Sequence, residues 1–240
     1  MKRFYETVSV KKAEDGVGTG AGYTIMLDGK PVKTPSKNLM VVPNLPLAEM
    51  VAAEWVEQET HILTDTMPLT QLVNTRIEKI AQERTALEAQ ILKYIDTDLL
   101  CYRADAPEEL VARQSVLWQK PLDWYAEYAG HRFAVTDGLK ALKQPAAIHQ
   151  HIAADIAALD IDRFTVLQML VPLFGSAVLA LAFLHGAQNA DDVMACCFLE
   201  EDYKFDLYNE QLHGGDPLTE KKRAAMRRDV EAAQDYLDTL

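Results

Sequence analysis

Short extended runs separated by turn residues open the chain, and helical periodicity takes over further along. Tyr5 to Val10 is rich in β-formers, Tyr23 to Leu27 is a second such run and Asn38 to Val42 a third. Glu14 to Gly22, with glycines at 16, 18, 20 and 22, reads as a loop, and Asp28-Gly29 as a tight turn. Leu47, Val51 and Trp55, at i, i+4 and i+8, then mark one face of a helix, with Pro46 in its first turn. His61 to Leu72 reads as a link, extended and then helical. Beyond Thr75 one stripe runs through Ile80, Leu87, Ile91, Tyr94 and Ile95, and another through Ile148, Ile152 and Ile156. Pro107 opens a helix carrying Leu110, Val111, Gln114 and Trp118, and Pro121 kinks or restarts it before Trp124, Tyr125 and Tyr128. Asp191-Asp192 and Asp216-Pro217 mark two further helix starts. The pattern predicts an α+β protein: a β-rich α+β domain over residues 1–80 and a mainly helical domain over residues 81–240.

Phe164 to Leu184 is apolar enough to suggest a membrane span. Gln168, Pro172, Gly175 and Ser176 interrupt it, so two buried helices meeting near Pro172 are expected instead.

The formal net charge is −12. Such a chain repels phosphate backbones and anionic lipid, so neither nucleic-acid binding nor membrane insertion is expected. The basic cluster Lys221, Lys222, Arg223, Arg227 and Arg228 on the last helix reads as a solvated face. Cys101, Cys196 and Cys197 are odd in number and irregularly spaced, which points to a reducing compartment rather than a disulfide framework. The six histidines, His213 among them, show no metal-ligand spacing. The glycine loop lacks the third glycine of a dinucleotide fingerprint, and no phosphate-loop or nucleophile-elbow motif occurs. No cofactor and no metal are expected.

One carboxylate stands out. With residues 191–208 taken as one helix at about 100° per residue, Val193, Cys196, Cys197, Tyr203 and Leu207 form an apolar stripe with Glu200 inside it. Glu201 falls at its edge and Asp202 towards solvent, while Lys204 at i+4 offers an internal partner. A carboxylate on an apolar face needs pairing, either within the chain or with a partner. An acid–base hydrolase using Glu200 or Glu201 is the alternative from another class, and a nonspecific holdase a third.

Several strings carry a resemblance. They are Arg3-Phe4-Tyr5, Leu27-Asp28-Gly29-Lys30-Pro31-Val32-Lys33-Thr34-Pro35, Ala53-Glu54-Trp55 with Gln58, Met67-Pro68-Leu69-Thr70, Asp96-Thr97-Asp98-Leu99-Leu100-Cys101-Tyr102-Arg103, Gln114 with Trp118, and Leu199-Glu200-Glu201 with Tyr203. Together they resemble the assembly chaperones for the α subunit of the F1 sector of ATP synthase, found in mitochondria and some bacteria. Two departures are Gln119, where an Asp commonly follows the Trp, and Lys204 with Leu207-Tyr208, where the family tends to a Gln and then Trp-Gly. The resemblance implies a protein-binding chaperone that holds the free α subunit until a β subunit replaces it, with no ATP hydrolysis of its own. It implies the bacterial cytoplasm, or the mitochondrial matrix for a matured organellar protein. Glu200, Glu201 and Tyr203 become the expected partner-binding residues, with Met67, Phe205 and Tyr208 as further apolar contacts. Trp55, Asp98 and Arg103 are expected to matter for the fold. A monomer is expected, since a covering surface must stay free.

Overall fold

Asp28 and Gly29 both take left-handed backbone, with φ of 47° and 75°, which a two-residue type I′ hairpin requires. They join β2 (Tyr23–Leu27) to the short β3 (Lys30–Pro31), with Leu27 opposite Lys30. β1 (Val8–Lys12) pairs antiparallel with the other side of β2, Val8 opposite Leu27. The Asp28 carboxylate accepts N–H bonds from Glu6 and Thr7 at 3.1 and 2.8 Å, fixing the lead into β1. The structure is a computed structural model describing residues 1–13, 22–138, 140–208 and 216–240. The glycine loop, apart from Gly22, and His213 lie outside the described residues.

Asn38 to Val42, expected as the third strand, makes only single bridges, Leu39 to Lys33 and Val42 to Tyr23. The hairpin returns at once beside β2, and Val32 N–H just beyond Pro31 still donates to the Ile25 carbonyl at 2.8 Å. Ile25 and Leu27 face inward against α1 (Leu45–Val56), whose Leu47, Ala48 and Val51 are fully buried. Asn44 caps α1, its Oδ1 accepting from Leu47 N–H at 2.9 Å. Gly22 lies so close to the segment before α1 that an added Cβ would stand 2.6 Å from the Val42 carbonyl oxygen and 2.7 Å from Val41 Cγ1. Gly22→Ala is therefore expected to destabilise the protein by about 2 kcal/mol through overpacking, measured by urea denaturation.

The helical part runs through α2 (Pro68–Thr75), a π-helical turn, α3 (Ala81–Leu92), α4 (Glu108–Leu117), α5 (Gln119–Ala129), α6 (Ala146–Ala158), α7 (Ile161–Phe174), α8 (Ala177–Leu184), α9 (Ala190–Cys197), α10 (Leu199–Tyr208) and α11 (Pro217–Asp238). The α+β class, strands first and helices after, is the one the pattern predicts. Every residue of α8 from Ala177 to Phe183 is buried, which makes it the core of its unit. The break between α7 and α8 falls at Gly175, not at Pro172. Gly175 adopts φ 65°, the usual glycine ending of a helix, and Ser176 Oγ caps α8 by accepting from Leu179 N–H at 2.9 Å. Pro172 sits inside the last turn of α7. Among the described residues no helix is long and apolar enough to cross a membrane.

The chain divides into two compact units, Met1–Arg84 with Glu231–Leu240, and Thr85–Val230. The sequence division at residue 80 assigned the last ten residues to the helical part. Instead they belong to the first unit, where Tyr236 is fully buried and Asn44 Nδ2 donates to the Thr239 carbonyl at 3.1 Å.

Candidate functional site

Residues 191–208 are two helices, not one. The chain breaks at Phe198, which leaves helical geometry with φ −108°. A wheel drawn across that break does not hold: Val193, Cys196 and Tyr203 are buried, but Leu207 is 58% exposed. Phe198 itself is buried and lies beneath the guanidinium of Arg223 on α11, 4.3 Å from it. That packing anchors the corner.

A second anchor comes from α4. Gln114 and Trp118, four residues apart, share a helix face and both reach the break. Trp118 donates its indole N–H to the Cys196 carbonyl at 2.9 Å, and Gln114 Nε2 donates to Glu200 Oε1 at 3.0 Å. The Gln114 amide is held at its other end too, since its Oε1 accepts from Ala104 N–H at 2.8 Å. Glu200 is thus paired with Gln114, not with the exposed Lys204 expected from i+4 spacing. Glu200 is half-buried. Its Oε2 accepts no hydrogen bond among the described residues, so one oxygen is fixed within the chain and the other is not.

The surroundings differ from the sequence expectation in several ways. Asp202 does not face solvent alone; it pairs with Arg223. Arg227 pairs with Asp191 at 2.6 Å. The basic cluster of α11 is therefore partly neutralised by acids of α9 and α10. Tyr203 is buried, its ring 5.4 Å from the guanidinium of Arg113, and Arg113 bridges Glu109 at 2.8 Å and Asp206 at 2.6 Å. Tyr203 thus supports the surface from below. Phe205 and Glu201 are half-buried, and both line a cavity of ≈ 380 Å³ between α10 and α11. Met67 is 1% exposed in the first unit and offers no contact surface. Nothing is described of the Tyr208 side chain. Gln114 is the residue that sequence reasoning missed as Glu200's partner; its i+4 spacing from Trp118 was the available signal. Among the described residues no group of three or more His, Cys, Asp or Glu could hold a metal ion.

The remaining strings build polar networks inside each unit. In the second, the fully buried Asp98 accepts from Leu100 N–H and Val178 N–H, both at 3.1 Å, and also from Ser176 and Ala177. Burial pushes its carboxyl up to about 6, against the downward pull of those bonds. Arg103 donates to the Leu100 carbonyl at 3.3 Å and to Gln119 Oε1 at 2.9 Å, so the departure at 119 keeps an acceptor there. In the first unit, Arg3 donates to the Gln58 carbonyl at 2.6 Å and Tyr5 OH to the Trp55 carbonyl at 2.7 Å. The half-buried Trp55 packs edge-on against Tyr5, and its indole N–H is buried with no partner among the described residues.

A model of the ATP12 chaperone protein family matches residues 2–126. The crystal structure of Atp12 from Paracoccus denitrificans is similar with a TM-score of 0.83 at 31% identity, covering 98% of this chain and 97% of that one. A mutant of P. denitrificans Atp12p gives the same TM-score and identity over 98% and 96%. The Atu1473 protein from Agrobacterium tumefaciens gives 0.87 at 35% identity, over 99% and 85%. With these motifs, this fold and these relatives, the chain belongs to the ATP12 chaperone protein family.

Proposed function

We propose that this chain binds the unassembled α subunit of the F1 sector and shields its subunit interface until a β subunit replaces it. A chaperone role in ATP synthase assembly comes with the family. The observation that carries the finer reading is Glu200, a half-buried carboxylate with one oxygen locked by Gln114 and the other free to accept from a client Arg or Lys. Phe205 and the exposed Leu207 beside it supply apolar contact. An α subunit that lacks its neighbours exposes apolar surface that aggregates. Covering that surface and yielding it to a larger native interface needs only a difference of binding free energies. No ATP hydrolysis enters, the chaperone works as a monomer, and its place is the bacterial cytoplasm or, for a matured organellar protein, the mitochondrial matrix.

The test is binding of purified free α subunit to the wild-type chain, Glu200→Gln and Glu200→Lys. Glutamine keeps an acceptor for Gln114 while removing the charge, so the melting temperature should stay within about 2 °C. Client affinity should fall about tenfold for Glu200→Gln and further for Glu200→Lys, where the charge is reversed. Unchanged affinity in both variants, or no binding by the wild type, would sink the reading.

A further inference from the structure

The outer face of the small sheet carries chemistry that binding through Glu200 leaves unused. Lys11 stands opposite Thr24, and Ser9 opposite Met26. Because side chains alternate along a strand, these residues share the face turned away from Ile25 and Leu27. A groove of ≈ 510 Å³ lies over it. Thr24, Met26 and Leu39 line it, together with Lys12, Lys33 and Lys37.

Three observations indicate that this groove is shaped for an occupant. Thr24 is only 5% exposed, yet its Oγ1 is out of water and has no hydrogen-bond partner among the described residues. A buried hydroxyl in that state is uncommon, because leaving it unpaired is costly. Lys37 takes left-handed backbone with φ 68°, a conformation that glycine or asparagine adopts with less strain. The loop holds it there through Lys37 N–H to the Thr34 carbonyl and Thr34 N–H to the Asn38 carbonyl, both at 2.8 Å. The fold thus keeps a strained lysine at the groove. Finally, the chain is strongly acidic, at −12. Lys12, Lys33 and Lys37 are nevertheless exposed and form no ion pair among the described residues.

We propose that this groove binds an extended acidic segment of a protein partner, with an apolar side chain against Met26 and Leu39 and flanking carboxylates on the three lysines. A short acidic segment fits better than nucleic acid or an anionic membrane, because a long polyanion would extend past the lysines into the field of the acidic surface. The proposal concerns the first unit and does not depend on the reading of Glu200.

The test passes the full-length protein over an array of random octapeptides. The captured sequences should be enriched in Asp and Glu flanking an apolar residue. The strongest, made as a fluorescent peptide, should bind about tenfold more weakly to Lys33→Glu/Lys37→Glu, and so should its Gln/Asn copy to the wild type. Its affinity should also fall as salt rises. Lys37→Gly should weaken binding while leaving the melting temperature equal or higher, since it relieves the left-handed strain. Glu200→Gln should bind the peptide as the wild type does. No captured peptide, a captured set without acidic bias, equal binding by the lysine variants, or tighter binding of oligo-dT or phosphatidylserine vesicles than of the peptide would each overturn the proposal.

Discussion

Asp98→Ala is expected to destabilise the protein by about 4 kcal/mol, the scale set by leaving several buried donors without an acceptor. The carboxylate is fully buried and ties two pieces of chain together. It accepts from Leu100 N–H in its own turn, from Val178 N–H in the first turn of α8, and from Ser176 just before it. α8 is buried along its length, so water cannot replace the lost acceptor. Alanine leaves those N–H groups facing apolar side chains. In a chain of this size the loss corresponds to a fall in melting temperature of about 10 °C. Amide exchange should localise it, with protection in α8 falling first. A loss under about 1 kcal/mol would mean that the donors find other acceptors and that Asp98 does not organise the unit.

The same carboxyl gives a pH signature of known sign. Its folded value of about 6 lies above its ordinary value of 3.8, so the folded state holds the proton more tightly than the unfolded chain. The stabilisation linked to that proton is fully present below 3.8, is lost as pH rises through about 6, and is flat above. The difference in unfolding free energy between the wild type and Asp98→Asn should therefore change across that window and nowhere else. An asparagine side chain cannot titrate, so the comparison isolates the effect of this one group.

How much of this was legible in the sequence depended on whether the determining contact was local. Asp28-Gly29 and Asp216 before Pro217 act within a turn, and each does locally what its residue type predicts. The stripes at Ile148, Ile152 and Ile156 and at Ile80, Leu87, Ile91 and Ile95 are buried as their spacing implies, while Tyr94 of the second stripe is only half-buried. The misplacements share a cause. The single helix drawn over 191–208 fails because Phe198 is captured by Arg223 of α11, further along the chain than any local period can report. Lys204 looked like the partner of Glu200 because i+4 is all that a wheel can see, whereas Gln114 reaches it across the packed pair α4 and α10. Asn38 to Val42 has a strand composition but, apart from Val42 against Tyr23, loses its place beside β2 to the residues that the hairpin returns first. Gln114 and Asp98 were visible as members of unusual strings, but their roles needed the partners that folding supplies.

Glu54→Ala is the second large effect, at about 3 kcal/mol, for buried donors that lose their acceptor at a helix start. Glu54 is 8% exposed on α1, and its carboxylate caps α2 from outside that helix. Oε1 accepts from Leu69 N–H at 2.7 Å, and Oε2 accepts from Thr70 N–H at 2.8 Å and from Thr70 Oγ1 at 2.7 Å. Met67, at the cap position of α2, makes no side-chain cap bond, so Glu54 takes over the task that a Ser or Asp there would perform. The negative charge also lies at the positive end of the helix dipole. Burial raises its carboxyl above the usual range, and the Thr70 and Leu69 bonds pull it back. Glu54→Gln keeps the length but offers one acceptor oxygen and turns an NH2 towards the remaining N–H groups, so it should recover only part of the loss. The effect should report locally. Trp55, the next residue, is the one tryptophan of the first unit, since Trp118 and Trp124 lie in the second. With 5-fluorotryptophan incorporated, the 19F resonance of Trp55 should shift or broaden in Glu54→Ala at temperatures where the other two resonances are unchanged. If all three move together, α1 and α2 are not a separable element and the cap acts on the whole fold. If none moves and stability holds, Leu69 and Thr70 are satisfied without Glu54 and the cross-helix cap is not what fixes α2.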